Sequence, residues 1–263
     1  MHTDSSDGIF DYKKVILNSI NLGLEVISIT DHDNVDKVKE AIEFSKMKNI
    51  FVIPGVELTA DYSTGTCHIL GYNIDINVID KFTEYIKKSR VEKAIKMISM
   101  LNKLGYDVTY DEVLNACPNK IIGRREIAKV LVRKKYFQTE DLAINDLFCE
   151  GKPCYFKTKT KSIEECINAI KVSGGIAVLA HPWTLNLSLE ELKNFVLKYE
   201  FNGIEVYNHN ISYNEFVLLD DLANSLNLYK TCGTDFHGQK GLYDMVVKQN
   251  VDCGKILNKL IRR

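Results

Sequence analysis

The 263-residue sequence lacks several features that would place it in a secreted or membrane-bound class. Its seven cysteines form no Cys-x-x-Cys pair, and an odd number of cysteines is unusual in a secreted protein of this size. Reduced thiols in a cytosol fit this pattern better. No apolar run approaches the ~18 residues needed to cross a bilayer, and the N-terminal residues include no apolar stretch typical of a signal peptide. We therefore expect a cytoplasmic protein that has no membrane partner.

Charge of either sign is not in excess. The chain has 34 basic and 35 acidic residues, for a net charge of -1. No global field would draw it to double-stranded DNA, and two local basic clusters, residues 133–135 and 157–161, are interpreted as solvated faces. With 45% hydrophobic residues the chain can bury a large core, and its length allows one or two domains. Nothing in the sequence marks a protein partner.

Short apolar runs that end in polar residues recur in two blocks. They predict strands near residues 26–30, 51–56, 68–72, 176–180, 203–207 and 231–234. Amphipathic patterns between most of them predict helices near residues 12–22, 35–47, 163–172, 189–199 and 214–227. This alternation predicts an α/β fold with a parallel sheet. A closed barrel is favoured over a doubly wound open sheet, because no glycine-rich phosphate loop follows the first strand.

The middle third of the chain breaks this alternation. Apolar residues recur at helical spacing from about Val78 to Leu104, and Gly105 can end that helix. Thr109-x-x-Glu112 is typical of a capping box, as are Ser162-x-x-Glu165 and Ser188-x-x-Glu191. We therefore predict a first part of a barrel over residues 1–79, a helical insertion over residues 80–160, and the second part of the barrel over residues 161–263.

Nitrogen and oxygen donors lie at or beside the predicted strands. Because the C-terminal ends of parallel barrel strands meet at one face, such donors are expected to converge there. Imidazoles and carboxylates suit several hard or borderline divalent ions. The candidate metal ligands are His2, Asp7, His32, Glu57, His68, His181, Asp235 and His237. Asp31 and Asp33 flank His32, and we expect them to orient its ring.

Six segments resemble, in order, the motifs of the polymerase and histidinol phosphatase (PHP) family of phosphoesterases. They are His2–Gly8, Ile29–Asp33, Pro54–Glu57, His68–Tyr72, Ala180–Pro182 and Gly233–Gly238. The resemblance implies a distorted seven-stranded (β/α) barrel of the TIM-like PHP type, with two or three divalent ions, commonly Mn²⁺, Zn²⁺ or Fe²⁺. It implies that the eight donors above bind these ions and that Glu57 bridges two of them.

The helical insertion and residues 123–128 resemble the RNase AM-like subgroup, which acts on nucleoside 3′,5′-bisphosphates and short RNA. The resemblance implies that Arg124 binds a substrate phosphate, and it supports His209 as a second contact. Glu126 stands where the subgroup has a histidine, and its charge would repel phosphate. No serine or cysteine lies in a setting typical of a nucleophile, so hydroxide generated by the ions is the expected attacking group, with no separate base assigned.

The family motif opens with a histidine two residues before the one matched by His2, at a position before Met1. We therefore expect the first barrel strand to be truncated, more readily through a misassigned start than through a real loss. The leading hypothesis is a metal-dependent phosphoesterase acting on a small nucleotide. One alternative is a histidinol-phosphate or other small-molecule phosphatase. Another is a degenerate, non-catalytic barrel that lacks the first ligand histidine.

Overall fold

The computed structural model describes residues 1–63, 65–117, 122–156, 160–208, 210–238 and 253–261. These residues form two compact units, one from residues 1–83 and 161–263 and the other from residues 84–160. The larger unit holds most of the buried apolar side chains, and the smaller unit has a separate core that includes Leu101, Ile127 and Leu131.

The larger unit contains a mixed sheet. Its strands are β1 (Val26–Ile29), β2 (Phe51–Tyr62), β3 (Gly65–Tyr72), β4 (Lys161–Ser162), β5 (Ile176–Leu179), β6 (Gly203–Tyr207) and β7 (Tyr229–Cys232). The strand order is β1-β2-β3-β5-β6-β7, and the short β4 pairs with β2. The expectation of an α/β fold is confirmed.

One strand departs from the all-parallel sheet predicted from the sequence. β3 runs antiparallel to both β2 and β5, whereas the β1–β2, β5–β6 and β6–β7 pairs are parallel. The physical reason is the length of the connection, because β2 ends at Tyr62 and β3 begins at Gly65. Two residues suffice for a hairpin, but a parallel pair needs a crossover of about a dozen residues.

The predicted closed barrel of seven strands is not observed in the described part of the chain. There, β1 and β7 stand at the two ends of the strand order. A cavity of about 240 Å³ is lined by residues of both end strands. The N-terminal residues connect the two ends: the amide of Thr30 donates to the Met1 carbonyl, and the amide of His2 donates to the Phe236 carbonyl. These two bonds place His2 between β1 and β7.

Ten described helices accompany the strands. They are α1 (Tyr12–Asn21), α2 (Val38–Ser45), α3 (Ile76–Lys103), α4 (Tyr110–Asn115), α5 (Arg124–Arg133), α6 (Glu140–Leu147), α7 (Ile163–Val172), α8 (Leu189–Lys198), α9 (Tyr213–Ser225) and α10 (Gly254–Ile261). The predicted capping boxes that begin α4, α7 and α8 are all present. Within the described residues, none of these helices is both long and apolar enough to cross a membrane.

The sheet is buried on both faces, which explains its continuous apolar strands. On one face Ile69 of β3 joins a core that includes Ile167 and Ile170 of α7. On the other face Leu70, the next residue of β3, packs in a cluster with Ile256 of α10. Successive side chains of a strand point to opposite faces, so both members of such a pair must be apolar.

Candidate metal centre

The eight donors predicted from the sequence all lie in the larger unit, and the structure brings them together. Glu57 is in β2 and His68 is in β3, whereas His181 follows β5 after one residue. Asp235 and His237 come after β7, and His32 follows β1 and pairs with Glu57 through an isolated parallel bridge.

Glu57 occupies the centre of this cluster and is only 2% exposed. Its Oε1 lies 2.8 Å from His68 Nδ1 and 3.2 Å from His181 Nε2. Its other oxygen, Oε2, lies 3.2 Å from His2 Nε2. The two oxygens of one buried carboxylate therefore face different imidazoles.

The remaining donors continue the cluster towards the surface. Asp235 Oδ1 lies 2.9 Å from His2 Nε2, and Asp7 Oδ1 lies 3.2 Å from His237 Nε2. The ring of His2 stacks on those of His32 and His237, with centroids 4.5 Å and 4.1 Å away, and the His32 and His237 centroids lie 5.9 Å apart. His2 is buried, whereas the side chain of Asp7 is 57% exposed, so the cluster opens to solvent on the Asp7 side.

Three overlapping sets of these residues have donor atoms that all lie within 4.8 Å of one another. The sets are His2 with Asp7, His32 and His237; His32 with Glu57 and His68; and His2 with Glu57 and Asp235. Glu57 belongs to two of the sets. His181 belongs to none of them, but it reaches the cluster through its contact with Glu57 and a 3.1 Å contact between its Nε2 and His68 Nδ1.

These residues fit divalent metal ions on two observations. Two buried ring nitrogens, His2 Nδ1 and His32 Nδ1, have no hydrogen-bond partner among the described residues, although unpartnered buried polar atoms are rare. The ring nitrogens of His2, His68 and His181 lie about 3 Å from the oxygens of Glu57. Neighbouring ligand atoms around an ion with bonds of about 2.1 Å have about this spacing.

Hydrogen bonds outside the cluster determine which nitrogen of two rings faces it. His237 Nδ1 lies 2.7 Å from the carbonyl of Asp235, which can only accept, so Nδ1 carries the hydrogen. His181 Nδ1 lies 3.0 Å from Thr184 Oγ1, whose own hydrogen bonds the His181 carbonyl. In each neutral ring Nε2 therefore keeps its lone pair, which is the arrangement a metal-binding histidine needs.

The electrostatics of the cluster favour positive charge beside its carboxylates. Burial alone would lower the pKa of His2, but hydrogen bonds to Asp235 and Glu57 raise that pKa to about 9. Burial lowers the pKa of the neighbouring His32 to about 3. Burial opposes ionisation of Glu57, yet His32 and the hydrogen bonds from the other imidazoles hold its pKa well below the usual value. Hydrogen bonds to Glu57 and Asp7 also raise the pKa values of His181 and His237. The ionised carboxylates thus attract positive charge, which in the absence of a metal ion is supplied by protonated imidazoles.

Asp31 plays a different part from the one expected from the sequence. The expectation that Asp31 orients the ring of His32 is wrong, because its two oxygens accept hydrogen bonds from the amide and hydroxyl of Thr3 and from the hydroxyl of Ser6. Asp31 thus holds the segment between His2 and Asp7. Asp33 accepts a hydrogen bond from the amide of Thr59 in β2.

Glu205 of β6 is a residue of the site that the sequence analysis missed. It is buried, and its Oε2 accepts the backbone N–H of His181 at 2.7 Å. Burial raises the pKa of its carboxyl group to about 7. A single acidic residue within the apolar run Gly203–Tyr207 was the available signal, since carboxylates are almost never buried without a partner.

The roles of the two predicted phosphate-binding residues stay a prediction. Arg124 is the first residue of α5 in the smaller unit, and His209 lies outside the described residues. Glu126 of α5 accepts the amide of Gly123 at 3.2 Å and lies 3.5 Å from Lys129 Nζ. Its carboxylate therefore caps the start of the helix and is offset by a neighbouring cation.

The site can be compared with known proteins. The family model for the PHP domain matches residues 1–171. A 3′,5′-nucleoside bisphosphate phosphatase of Chromobacterium violaceum is 26% identical, with 90% of this chain and 85% of that protein covered. The 5′-3′ exoribonuclease Rnm of Escherichia coli is 29% identical, with 90% and 83% covered.

Solved structures show the same likeness. A Bifidobacterium adolescentis protein proposed to be a metal-dependent phosphoesterase superposes with a TM-score of 0.78 at 26% identity, covering 99% of this chain and 93% of that one. A Chromobacterium violaceum amidohydrolase with bound sulfate and no metal gives 0.76 at 26% identity, covering 91% and 86%. Since the family model spans well over half of the residues, the chain belongs to the PHP domain family.

Proposed function

We propose that this protein is a metal-dependent phosphoesterase that hydrolyses a phosphate ester of a small nucleotide, either a nucleoside 3′,5′-bisphosphate or a short oligoribonucleotide. The observation that carries the proposal is the environment of Glu57, whose Oε1 faces His68 and His181 while Oε2 faces His2. A buried carboxylate with this arrangement is suited to bridge two ions.

The eight donors would hold two or three divalent ions, of which Mn²⁺, Zn²⁺ and Fe²⁺ suit nitrogen and oxygen ligands. One set of ligands would be His2, Glu57 and Asp235, and another His32, Glu57 and His68, with His181 beside them. Asp7 and His237 would complete a third set on the exposed side with His2 and His32.

Phosphate-monoester hydrolysis is among the slowest uncatalysed reactions in water. Bound divalent ions would supply an acidified water and neutralise the charge on the leaving oxygen. The protein's contribution is to hold the ligands in place. Hydrogen bonds on Nδ1 of His181 and His237 keep Nε2 of each ring directed at the cluster. The buried carboxylate of Glu57 keeps a negative charge where the cations would sit.

The nucleotide substrate is supported by the relatives and by charge in the smaller unit. Burial and the nearby charge of Arg124, together with that of Arg90, lower the pKa of Lys93. These cations lie close together, and the planar guanidinium of Arg124 is suited to bind phosphate through two hydrogen bonds. We assign Arg124 and His209 to binding of a substrate phosphate.

A second candidate function is hydrolysis of another small phosphate ester, such as histidinol phosphate. It is favoured by a relative from Eggerthella lenta, a phosphoribosyl 1,2-cyclic phosphate 1,2-diphosphodiesterase. That protein is 24% identical, with 92% of this chain and 94% of its own length covered. The same metal centre would serve either reaction, so the choice of substrate depends on residues outside it.

Elemental analysis together with a phosphate-release assay tests the proposal. The purified protein should carry at least two equivalents of transition metal and release phosphate from adenosine 3′,5′-bisphosphate faster than from histidinol phosphate. His181→Ala should abolish release while the circular dichroism spectrum stays unchanged. Glu164→Gln, an exposed change on α7, serves as the matched control. If the protein bound no metal and released phosphate from neither ester, the hypothesis of a degenerate, non-catalytic barrel would remain.

A further inference from the structure

Glu205 interrupts a strand that is otherwise apolar. Its neighbours Ile204 and Val206 are fully buried in the core, and Glu205 itself is only 5% exposed. A buried carboxylate is costly unless it is well partnered, so its contacts indicate what it is for. Glu205 is absent from the sets of converging metal donors found among the described residues. It lines the same cavity as His181 and Asp235.

The principal contact of Glu205 is with the backbone of a candidate metal ligand. Strands β5 and β6 are parallel neighbours, and Leu179 is in register with Ile204. This register places Glu205 beside the end of β5, where its Oε2 accepts the backbone N–H of His181 at 2.7 Å. His181 has φ 25° and ψ 61°, a left-handed conformation that residues other than glycine rarely adopt. Such a conformation persists only where the surroundings hold it.

The opposite oxygen of Glu205 faces the end of β7. A side chain at Gly233 would place its Cβ 2.5 Å from Glu205 Oε1, so a glycine there makes room for the carboxylate. Gly233 lies two residues before Asp235, another candidate ligand. One carboxylate group thus lies between the strand ends that carry His181 and Asp235.

We propose that Glu205 is a positioning residue that holds the backbone of His181 so that its ring points into the metal centre. This inference rests on the proposed function. The orientation it maintains is the one in which His181 Nε2 lies 3.2 Å from Glu57 Oε1 and 3.1 Å from His68 Nδ1. Loss of the acceptor leaves the His181 amide without its partner and removes a restraint on the strained residue.

The test uses Mn²⁺ binding, measured by isothermal titration on metal-stripped protein, with Glu205→Ala and Glu205→Gln. Glu205→Ala should weaken Mn²⁺ binding about 10–100-fold, the usual cost of losing a group that orients a ligand. Glu205→Gln keeps a carbonyl oxygen that can accept the amide hydrogen, and should stay within a few-fold of the native protein. Thermal melting in EDTA and circular dichroism establish that each variant is folded.

A double-mutant cycle separates positioning from a general structural role. If Glu205 acts through His181, then Glu205→Ala should change Mn²⁺ affinity less than about twofold in a His181→Ala background, because coupled residues are not additive. Gly233→Ala is a second probe that leaves Glu205 in place; its new Cβ should displace the carboxylate and weaken binding, again only where His181 is present.

The results distinguish failure of the role assigned to Glu205 from failure of the proposed function. An equal loss in the native and His181→Ala backgrounds, or a loss for Glu205→Gln as large as that for Glu205→Ala, would overturn the role assigned to Glu205 and leave the proposed function standing. A native protein that binds no Mn²⁺ and releases no phosphate would overturn both. Should Glu205→Ala fail to fold, Glu205→Gln and Gly233→Ala carry the test.

Discussion

The imidazole of His2 lies face to face with that of His237, with ring centroids 4.1 Å apart and planes 12° from parallel. Burial and the charge of the His2 ring lower the pKa of His237, yet hydrogen bonds to carboxylates raise the pKa of both rings, to Asp7 for His237 and to Asp235 and Glu57 for His2. Asp235 and Glu57 hydrogen-bond His2, and its pKa is about 9 against the opposing effect of burial. At neutral pH the metal-free cluster therefore carries a proton on His2.

This proton predicts a pH dependence of metal binding. A cation that binds His2 must displace the proton at any pH below about 9, so apparent Mn²⁺ affinity should rise with pH from 6 to 8. The rise should be at most about tenfold per pH unit for one proton displaced. Isothermal titration in buffers of different ionisation enthalpy counts the protons released, and at least about one is expected at pH 7.

Two variants show which ring loses the proton. His32 has a pKa of about 3 because it is buried, so it is already neutral in this range. His32→Ala should therefore weaken binding and keep the proton release, whereas His2→Ala should reduce that release by about one proton. Binding that is independent of pH between 6 and 8 would contradict the protonation of His2.

Glu57→Gln tests the bridging carboxylate. The amide keeps the size of the side chain but loses the negative charge and one of the two oxygens that face the imidazoles. We expect loss of at least one equivalent of bound metal and a drop of at least about 100-fold in phosphate release, more than loss of an outer supporting group usually costs. Elemental analysis and the phosphate assay measure these changes.

The control for Glu57→Gln is Glu164→Gln on the exposed face of α7, which should change neither quantity. Unchanged metal content in Glu57→Gln, with a native circular dichroism spectrum, would remove the bridging role.

The convergence of six of the eight donors could be anticipated because they lie at or beside strands, and ends of neighbouring strands meet. His2 and Asp7 precede β1 by about 20 residues, and the family resemblance added them. What the sequence could not show was the direction of β3. Its antiparallel course follows from a two-residue link that looks like any other polar turn in the sequence. The donors His68 and Glu57 still meet, because β2 and β3 are neighbours in either direction.

The supporting residues were harder to anticipate. Asp31 and Thr3 are 28 positions apart, and the hydrogen bonds between them arise only when the N-terminal segment lies beside the end of β1. Glu205 and His181 are 24 positions apart and meet through a side chain and a backbone amide. Long-range bonds of this kind leave no periodic signal. The roles of the eight donors as metal ligands stay a prediction.

Asp31→Asn tests the residue that supports the N-terminal part of the centre. Asp31 accepts three hydrogen bonds, from the Thr3 amide, the Thr3 hydroxyl and the Ser6 hydroxyl. An asparagine replaces one acceptor oxygen with a donor, so at least one buried bond is lost. We expect a loss of about 1–3 kcal/mol in the free energy of unfolding. Metal binding should also weaken, because the segment between His2 and Asp7 is less firmly held.

Urea unfolding of metal-stripped protein and Mn²⁺ titration measure the two effects of Asp31→Asn separately. Asp141→Asn, a change of an exposed carboxylate on α6, is the matched control and should alter neither. Native stability and native Mn²⁺ affinity in Asp31→Asn would show that the N-terminal segment needs no support from this carboxylate.

The last prediction concerns the thiol of Cys232, the last residue of β7, and the thiol of Cys253. Cys232 Sγ lies 3.7 Å from Cys253 Sγ, beside the start of α10. Oxidation by diamide, which takes up both thiol hydrogens and two electrons as it is reduced to the hydrazine, should join the sulfurs in a disulfide. The hydrogen bond to Cys253 raises the pKa of Cys232 well above its usual value, so the reaction should quicken as pH rises. Mass spectrometry should show a loss of two hydrogens that disappears in Cys253→Ser, and a disulfide that instead involves buried Cys67 or Cys166 would contradict this pairing.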